Sequence, residues 1–442
     1  MKLPEKPPSE NELEARFAKV LSAEGLSEFD KYRPFIKIVN AGYLHWDEIK
    51  HDDRFKEIDK TVLWTYVRAQ RRFNVISIPL GEIVLQYAQT PQIEKMLHEL
   101  DIRAGGKANI DGRNPEPALQ KKYLSNSLME EAIASSQLEG AATSRVIAKQ
   151  MLRENRKPRN TSEKMIVNNY LTMKHIRENT ASNEPLTPEI IKQIHRRITK
   201  DTLENPDYEG AFRTDNEVKV YARDDPGTPI YEPPDYEKIG PLISQVCKFA
   251  NAEPADYYLH PIIKATILHY MIGYIHPFND GNGRTARALF YWYLISQGYQ
   301  YYEYIAVSRT IKEAPAQYAR AYLYTEYDSN DVTYFVRFNL HSLDKAVGMF
   351  EKYLEKTAQE NRRMLEAVRK NPKLNMRQAD ILIITNKSAK QITIQEMQER
   401  YRTTYQTART DLLKLAKMGY LHKLRRGKEF VFIPDKEKCL KE

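Results

Sequence analysis

The sequence predicts a mainly α-helical protein with small β elements, and three observations carry that reading. Apolar residues recur at helical spacing through most of the chain. A Gly-Asn-Gly turn near the centre divides two strongly apolar helical stretches. The last eighty or so residues read as helix, strand, helix, helix and hairpin. With 442 residues, 41% of them apolar, the chain is long enough for two or three cores.

Composition sets bounds on function. No apolar run approaches the roughly 20 residues of a membrane span, and the opening "MKLPEKPPSENELEARF" is too charged for a signal peptide. The expectation is a soluble, cytoplasmic protein with no membrane partner. Cys247 and Cys439 stand far apart with no CxxC or Cys/His cluster, which argues against a disulfide framework or a structural zinc site. Net charge is +9, but residues 361–442 hold 20 Lys+Arg against 9 Asp+Glu, so the basic surplus belongs to the C-terminal segment.

Residues 1–115 read as a mainly helical region. In "YRPFIKIVNAGYLHWDEIK" and "DKTVLWTYVRAQRRF", Trp46 and Trp64 sit at apolar-periodic positions and are assigned to a core. "RAGGKANIDGRNPEP" at 103–117 is rich in Gly, Pro and Asn and marks a domain boundary. Next, "YLSNSLMEEAIASSQLEGAATS" predicts a helix over about 119–140. Leu124, Leu128, Ala132, Ser135 or Ser136, and Glu139 share one face, and Gly140 stops the helix. A carboxylate there opposes the helix dipole at a cost of about 0.3–1 kcal/mol, so Glu139 wants either water or a cation.

The centre, "HPFNDGNGRTAR" at 276–287, follows "HPIIKATILHYMIGYI", whose Pro261 suits a first helical turn. After it, Ala286, Leu289, Phe290, Tyr293 and Leu294 follow the i, i+3, i+4, i+7 pattern. A tight loop therefore feeds a helix N-terminus. Gly281 and Gly283 let backbone N–H groups point inward, the helix dipole adds positive potential, and Arg284 and Arg287 add charge one turn apart. The guest such a nest fits is a group of two or more phosphates. Asp280 beside it calls for a bridging cation, Mg²⁺, and His276 has the pKa range to take a proton from an attacking hydroxyl.

At the C-terminus, "NMRQADILIITN", "IQEMQERY" and "TTYQTARTDLLKLAKMGY" predict three helices, with the short strand "QITI" after the first. "LHKLRRGKEFVFIP" predicts a basic hairpin. This order, over about 360–442, resembles a winged helix-turn-helix. In that fold the third helix would present Thr404, Gln406, Thr407 and Arg409 to DNA, and the wing would set Lys423, Arg425, Arg426 and Lys428 against phosphates. A purely protein-docking role stays open beside it.

HPFNDGNGRTAR resembles the signature of the Fic family, HxFx(D/E)GNGRxxR, at every specified position. The likeness extends over about 119–345, through "LTPEIIKQIHRRI", "EGAFRT", "YEPP", "SRTI" and "NDVTYF". It implies a Fic-type helical bundle over about 116–355 with a β-hairpin flap, and transfer of AMP from ATP to a Tyr, Thr or Ser hydroxyl of a target protein. By the same resemblance His276 would be the base and Asp280 the Mg²⁺ ligand. Gly281, Asn282 and Gly283 would form the anion hole, with the Asn282 side chain on the α-phosphate. Arg284 would take the β-phosphate and Arg287 the γ-phosphate, with Thr285 and Ala286 counted in the same nucleotide-binding stretch. Phe278 would be a packing residue. Tyr318 is the implied base contact, although the family's paired tyrosines and asparagine are replaced by Tyr318-Ala319 without a clear asparagine match. Ser135-Ser136-Gln137-Leu138-Glu139-Gly140 is similar to the family's inhibitory motif, (S/T)xxxE(G/N). That likeness implies the second class of the family, in which Glu139 pairs with Arg287 and denies it to ATP, with Ser135 and Gly140 completing the regulatory set. AMP removal by the same site, a nucleotide-sensing DNA-binding regulator and a homodimer remain alternatives.

Overall fold

In the computed structural model, the described residues are 3–9, 11–13, 16–17, 23–105, 117–181, 183–222, 225–252, 257–388, 391–426 and 429–435. In order they form α1 (Ala23–Gly42), α2 (Trp46–His51), α3 (Lys60–Arg72), β1 (Val75–Leu80), β2 (Ile83–Ala88) and α4 (Pro91–Ala104). Then follow α5 (Pro117–Leu138), α6 (Arg145–Glu154), α7 (Thr161–Asn179), α8 (Pro188–Thr199), β3 (Val220–Ala222), β4 (Asp225–Tyr231) and α9 (Ile239–Asn251). After these come α10 (Pro261–Ile275), α11 (Asn282–Ser296), α12 (Val307–Glu313), α13 (Pro315–Tyr327) and α14 (Thr333–Lys370). The last elements are α15 (Met376–Ser388), β5 (Ile392–Thr393), α16 (Ile394–Tyr401), α17 (Tyr405–Lys417), β6 (Leu421–Arg426) and β7 (Glu429–Pro434). Among the described residues no helix is long and apolar enough to cross a membrane.

Helix starts follow local chemistry. Thr90, Thr187 and His260 each accept a backbone N–H at the first turn of α4, α8 and α10, and each is followed by a proline whose missing N–H costs nothing there. At the centre α10 and α11 pack as an antiparallel pair, flanked by α7, α8 and α9, while α5 lies against α7 and α12. Ile267, Leu268 and Leu289 are fully buried, as a helix pair apolar on most faces requires.

The chain divides into two compact units, Met1–Gly348 and Met349–Glu442. The expected boundary near residue 115 therefore falls inside the first unit, and most of its marker, 106–116, lies outside the described residues. The contacts explain the merger. A hairpin that the sequence reading did not mark, β1–β2, turns at Gly81 with φ +65° and pairs Leu80 with Ile83. Its Gln86 exchanges backbone bonds with Asn330 and Val332, at 2.9 and 2.8 Å, and the Ala88 N–H reaches Thr333 Oγ1 at 2.8 Å. The Tyr43 hydroxyl donates to Asp331 at 2.6 Å, and Arg68 pairs with Asp328 at 2.8 Å with both side chains buried. Trp46 and Trp64 are in the N-terminal core, as expected.

In the second unit three helices cover a three-stranded sheet of order β5-β7-β6. Leu382, Leu412, Leu415 and Phe432 fill its core. Buried Asp411 accepts from Asn375, Arg377 and Gln378 at 2.8–2.9 Å, which ties α17 to the start of α15. The division falls within α14, before the expected start near 360, because α14 runs on as one helix through that position.

Asp328→Ala leaves the Arg68 guanidinium buried without its carboxylate, and is expected to destabilise the first unit by about 3–5 kcal/mol. The denaturant midpoint of its unfolding transition checks this.

Candidate active site

The loop expected to carry the chemistry joins α10 to α11. His276 closes α10 in the left-handed region, φ +48°, with its N–H on Ile272 O at 3.0 Å. Its ring Nδ1 lies 3.0 Å from Gly273 O, so Nδ1 holds the proton and Nε2 is left as the acceptor. Burial is the largest influence on this imidazole and brings its pKa below the ordinary 6.5, so it is neutral at pH 7.

Three contacts shape the turn. Asn282 Oδ1 accepts from Phe278 N at 2.9 Å and Asn282 Nδ2 donates to Phe278 O at 2.7 Å. The Asn282 side chain was expected to face a phosphate; here both ends of its amide, 3% exposed, brace the loop. Phe278 is fully buried and stacks on His195, with ring centroids 3.7 Å apart. His195 Nδ1 accepts from Gly210 N at 3.0 Å, so Nε2 donates to Asp280 O at 2.8 Å. Burial pushes that imidazole down to about 4, which keeps it a neutral bridge. Gly281 has φ +81°, and a Cβ there would meet Thr199 Cγ2 at 2.7 Å.

Arg213 fastens the flap, β3–β4, to this loop. It donates to His276 O at 3.0 Å, to Asp215 O at 2.7 Å and to Pro234 O, so one guanidinium holds both ends of the flap beside the imidazole.

The start of α11 is rich in donors. Arg284 is 1% exposed, its contacts to Ile198 O and Asp280 Oδ2 are 3.4 and 3.5 Å, and its Nε has no partner among the described residues. Thr285 is also buried, with its hydroxyl unpartnered among the described residues. Ala286 has only a methyl group to offer and packs in the interior. A buried cation with such weak partners is a place for an anionic guest. The Asp280 side chain is 61% exposed beside it. No cage of three or more His, Cys, Asp or Glu side chains occurs among the described residues. One accessible carboxylate next to a phosphate nest nevertheless fits Mg²⁺, which takes one or two protein carboxylates and fills its sphere from phosphates and water.

Arg287 is already engaged by α5. Its Nη2 donates to Glu139 Oε1 at 2.8 Å and to Ser135 O at 3.0 Å, and its Nε donates to Ser135 Oγ at 2.9 Å. The Glu139 carboxylate also lies against the nest: a Cβ on Gly283 would meet Glu139 Oε1 at 2.2 Å. Burial alone would lift the Glu139 carboxyl, but the Arg287 charge and hydrogen bond, helped by Arg284 and His276, bring it below the ordinary range. Gly140, φ +92°, ends the segment, and Ala141 N returns to Ser136 O at 3.0 Å.

Other residues of the site escaped sequence reading. Glu131, two turns before Glu139, accepts from Tyr291 OH and Ser308 N, both at 2.8 Å, and from the Ser308 hydroxyl, which fixes α5 to α11 and α12. Tyr322 stands one turn after Tyr318 on α13, edge to face at 5.4 Å, so the tyrosine pair is 318/322. The Tyr318 hydroxyl meets His269 Nε2 at 2.8 Å, and the Tyr322 hydroxyl comes within 2.4 Å of where a Cβ on Gly273 would be. The i, i+4 spacing of the two tyrosines was the available signal.

The brace predicts that Asn282→Ala lowers stability in the absence of any nucleotide by about 1–3 kcal/mol. An unchanged melting temperature of the nucleotide-free protein would return Asn282 to a ligand role.

Residues 185–294 match the model of the Fic/DOC family. The protein adenylyltransferase Fic of Culex quinquefasciatus is 33% identical over 137 residues, covering 28% of this chain and 25% of that protein. Its Drosophila melanogaster counterpart is 34% identical over 129 residues, covering 29% and 24%. The chain thus spans about a quarter of the length of the curated relatives it matches. Among solved structures, a Fic family protein from Desulfovibrio desulfuricans superposes with TM-score 0.53 at 17% identity, covering 79% of this chain and 98% of that one. A fragment of Fic-1 from C. elegans gives 0.52 at 16% identity, covering 75% and 87%, and at such identities the likeness speaks for the fold. Signature loop, family model and fold agree that the chain carries a Fic domain.

Proposed function

We propose that this protein transfers AMP from ATP to a hydroxyl side chain of a target protein, and that Glu139 holds the activity in check. The observation that carries the proposal is the neutral His276 beside a nest in which Arg284 lacks a short acceptor and Arg287 is occupied by Glu139.

In the reaction His276 Nε2 takes the proton of the target hydroxyl as its oxygen attacks the α-phosphorus. The bond from that phosphorus to the β-phosphate oxygen breaks, and pyrophosphate leaves. The N–H groups at the start of α11 stabilise charge on the α-phosphate, as an oxyanion hole does. Arg284 binds the β-phosphate, and Arg287 binds the γ-phosphate once Glu139 has withdrawn. Asp280 would hold Mg²⁺, whose contribution is to neutralise and orient the phosphates. The flap would pair with an extended target segment by strand addition, and the wall of Tyr318 and Tyr322 would receive the base. Glu139, with His276 within its field, would also be placed to orient a water against a bound AMP ester; attack of that water on the phosphorus breaks the bond to the target oxygen and releases AMP and the free hydroxyl, a hydrolysis separate from the transfer.

The second unit supports a separate reading as a winged helix that binds duplex DNA. Tyr405 and Gln406 are exposed at the start of α17, and Lys423 and Arg425 are exposed on β6. Lys428 and the Arg426 side chain lie outside what is described. Duplex binding that weakens steeply with salt in a gel-shift series would support it, and its absence would leave a protein-docking module.

Glu139→Gly removes a charge-assisted contact of about 1.5–3 kcal/mol, so AMP incorporation from radiolabelled ATP should rise about 10- to 100-fold. Equal incorporation with and without the change would refute the inhibitory role. His276→Ala should lower transfer at least about 100-fold in the Glu139→Gly background.

The pH dependence has a definite sign. Because the folded-state pKa of His276 is below 6.5, the neutral base persists through neutral pH and is lost as pH falls through that lowered value. The acid limb of the rate profile should have its midpoint below 6.5. Because the Glu139 charge raises the His276 pKa, Glu139→Gly should move the limb further down.

A further inference from the structure

Two polar groups near the Fic loop lack a partner and have no part in the transfer. The first is the Tyr270 hydroxyl on α10, fully buried and without a hydrogen bond among the described residues. The second is the Glu326 carboxyl on α13. No described residue donates a hydrogen bond to it, and the cation in its field, Lys6, lies over the Tyr327 ring at 5.0 Å.

Both groups belong to one aromatic row. Tyr231, at the end of β4, meets Tyr274 with ring centroids 5.8 Å apart and donates its hydroxyl to Tyr274 O at 2.7 Å. Tyr274 stacks on Tyr270 and Tyr270 on Tyr322, with centroids 6.2 and 5.3 Å apart. Tyr318 closes the row beside Tyr322 and lies in the field of Arg287. The row thus leads from the nest to the flap. Tyr318, Tyr322 and Glu326 form an i, i+4, i+8 stripe on α13. The rise of that helix puts Glu326 about 12 Å from Tyr318, away from the arginines of the nest. Burial aside, the Glu326 charge is the strongest influence on the Tyr270 and Tyr274 phenols, and it reaches Tyr231 as well. The carboxyl therefore shares the space bordered by α10, α13 and the flap.

Its chemistry suits a base edge. Burial pushes the Glu326 carboxyl up to about 8, with Lys6 opposing, so it is mostly protonated at pH 7. A neutral carboxyl sets one acceptor beside one donor. That is the complement of the outer edge of adenine, where the N6 amino group donates and N1 accepts. Guanine presents two donors there, N1–H and N2–H, and would suit only the ionised carboxylate. The rings supply apolar faces for stacking. Buried polar groups are normally paired, so two without complements, in a row that begins at a phosphate nest, mark a place for a polar guest.

We propose that Glu326 selects the base of the nucleotide, its carboxyl accepting from N6–H and donating to N1 of adenine, with the Tyr270 hydroxyl as a further partner of the same base. The inference rests on the nucleotide reading of the nest.

Isothermal titration of the full chain carrying Glu139→Gly, with Mg²⁺ present, tests it with ATP, GTP and purine riboside triphosphate, which is ATP without its amino group. At pH 7 ATP should bind at least about fivefold tighter than either of the others. Glu326→Ala should remove that preference. Glu326→Gln, whose amide also sets an acceptor beside a donor, should keep it. Tyr270→Phe should weaken ATP about threefold, yet leave the melting temperature of the nucleotide-free protein no lower, because the hydroxyl removed has no partner to lose. The groups facing Glu326 are Lys6 and the phenols of Tyr231, Tyr270, Tyr274, Tyr322 and Tyr327, and burial holds each of these phenols above the ordinary 10. As pH rises from 7 to 9 the neutral carboxyl is lost, so the ratio of ATP to GTP affinity should fall about fivefold and stay constant in Glu326→Gln. Should Glu326→Ala fail to fold, the pH series decides. ATP binding no tighter than purine riboside triphosphate, a preference that survives in Glu326→Ala, or a ratio that falls equally in Glu326→Gln overturns the proposal and leaves AMP transfer standing. Failure of all three triphosphates to bind overturns the nucleotide reading along with it.

Discussion

The charge of Arg287 organises the α10–α11 loop and the helix packed on it. A guanidinium 3% exposed on the first turns of a helix must have an anion, because an unpaired buried cation costs several kcal/mol. Here α5 supplies that anion from outside the loop, with the Glu139 carboxylate and two oxygens of Ser135. The need in turn fixes where α5 ends. Ser136 accepts from Ala141, Ser136 Oγ reaches Met165 O at 3.2 Å, and Glu131 is gripped by Tyr291 and Ser308. The Glu139–Arg287 contact is thus at the tip of a helix held along its length.

Around this charge the histidines are neutral. His195 and His269 are pushed down to about 4 and 3 by burial, and His276 is lowered too. Positive charge near the nest therefore comes from arginines, which do not titrate at working pH, while imidazoles serve as neutral braces or as a base. The division is useful for phosphoryl chemistry. In the proposed reaction a protonated His276 would add attraction for phosphate but could no longer accept a proton, and its burial favours the neutral form that such a base needs.

How much could be read from the sequence depended on whether the signal was local. The α10–loop–α11 unit, the three C-terminal helices and the stop at Gly140 were legible because spacing, prolines and glycines encode them within a turn or two. The helix dipole singled out Glu139 as needing either water or a cation, and its pairing with Arg287 came from the resemblance of Ser135–Gly140 to the family's inhibitory motif. The brace from Asn282 to Phe278 was not legible, because an amide in a Gly-Asn-Gly turn serves equally to bind a ligand or to hold the loop, and only the folded loop shows the second contact. His195, Arg213 and Glu131 act on partners 85, 63 and 177 residues away, so nothing local distinguishes them from ordinary core or surface residues. The β1–β2 hairpin was overlooked although its strands alternate, and its edge pairing to Asn330 and Val332 is what erases the expected domain boundary.

Under the proposed function, Gly283 would let the same nest suit both the Glu139 carboxylate and a phosphate. Without a Cβ at that position, Glu139 Oε1 can approach the backbone more closely than any other residue would permit. A phosphate oxygen bound at the start of α11 would need the same space. A mutation that filled this space to exclude the carboxylate would exclude the phosphate as well, so the inhibition proposed above would not be relieved from the nest side without loss of the ligand. In that scheme relief would come from α5, by moving its end or loosening its anchors. The hydrogen bonds of Glu131 to Ser308 and Tyr291 make that movement depend on α12, which leads directly into the helix bearing Tyr318 and Tyr322. A ligand that repositions the tyrosine pair would act on the inhibitory helix through that short, buried path, with α12 as the element whose position both ends bias.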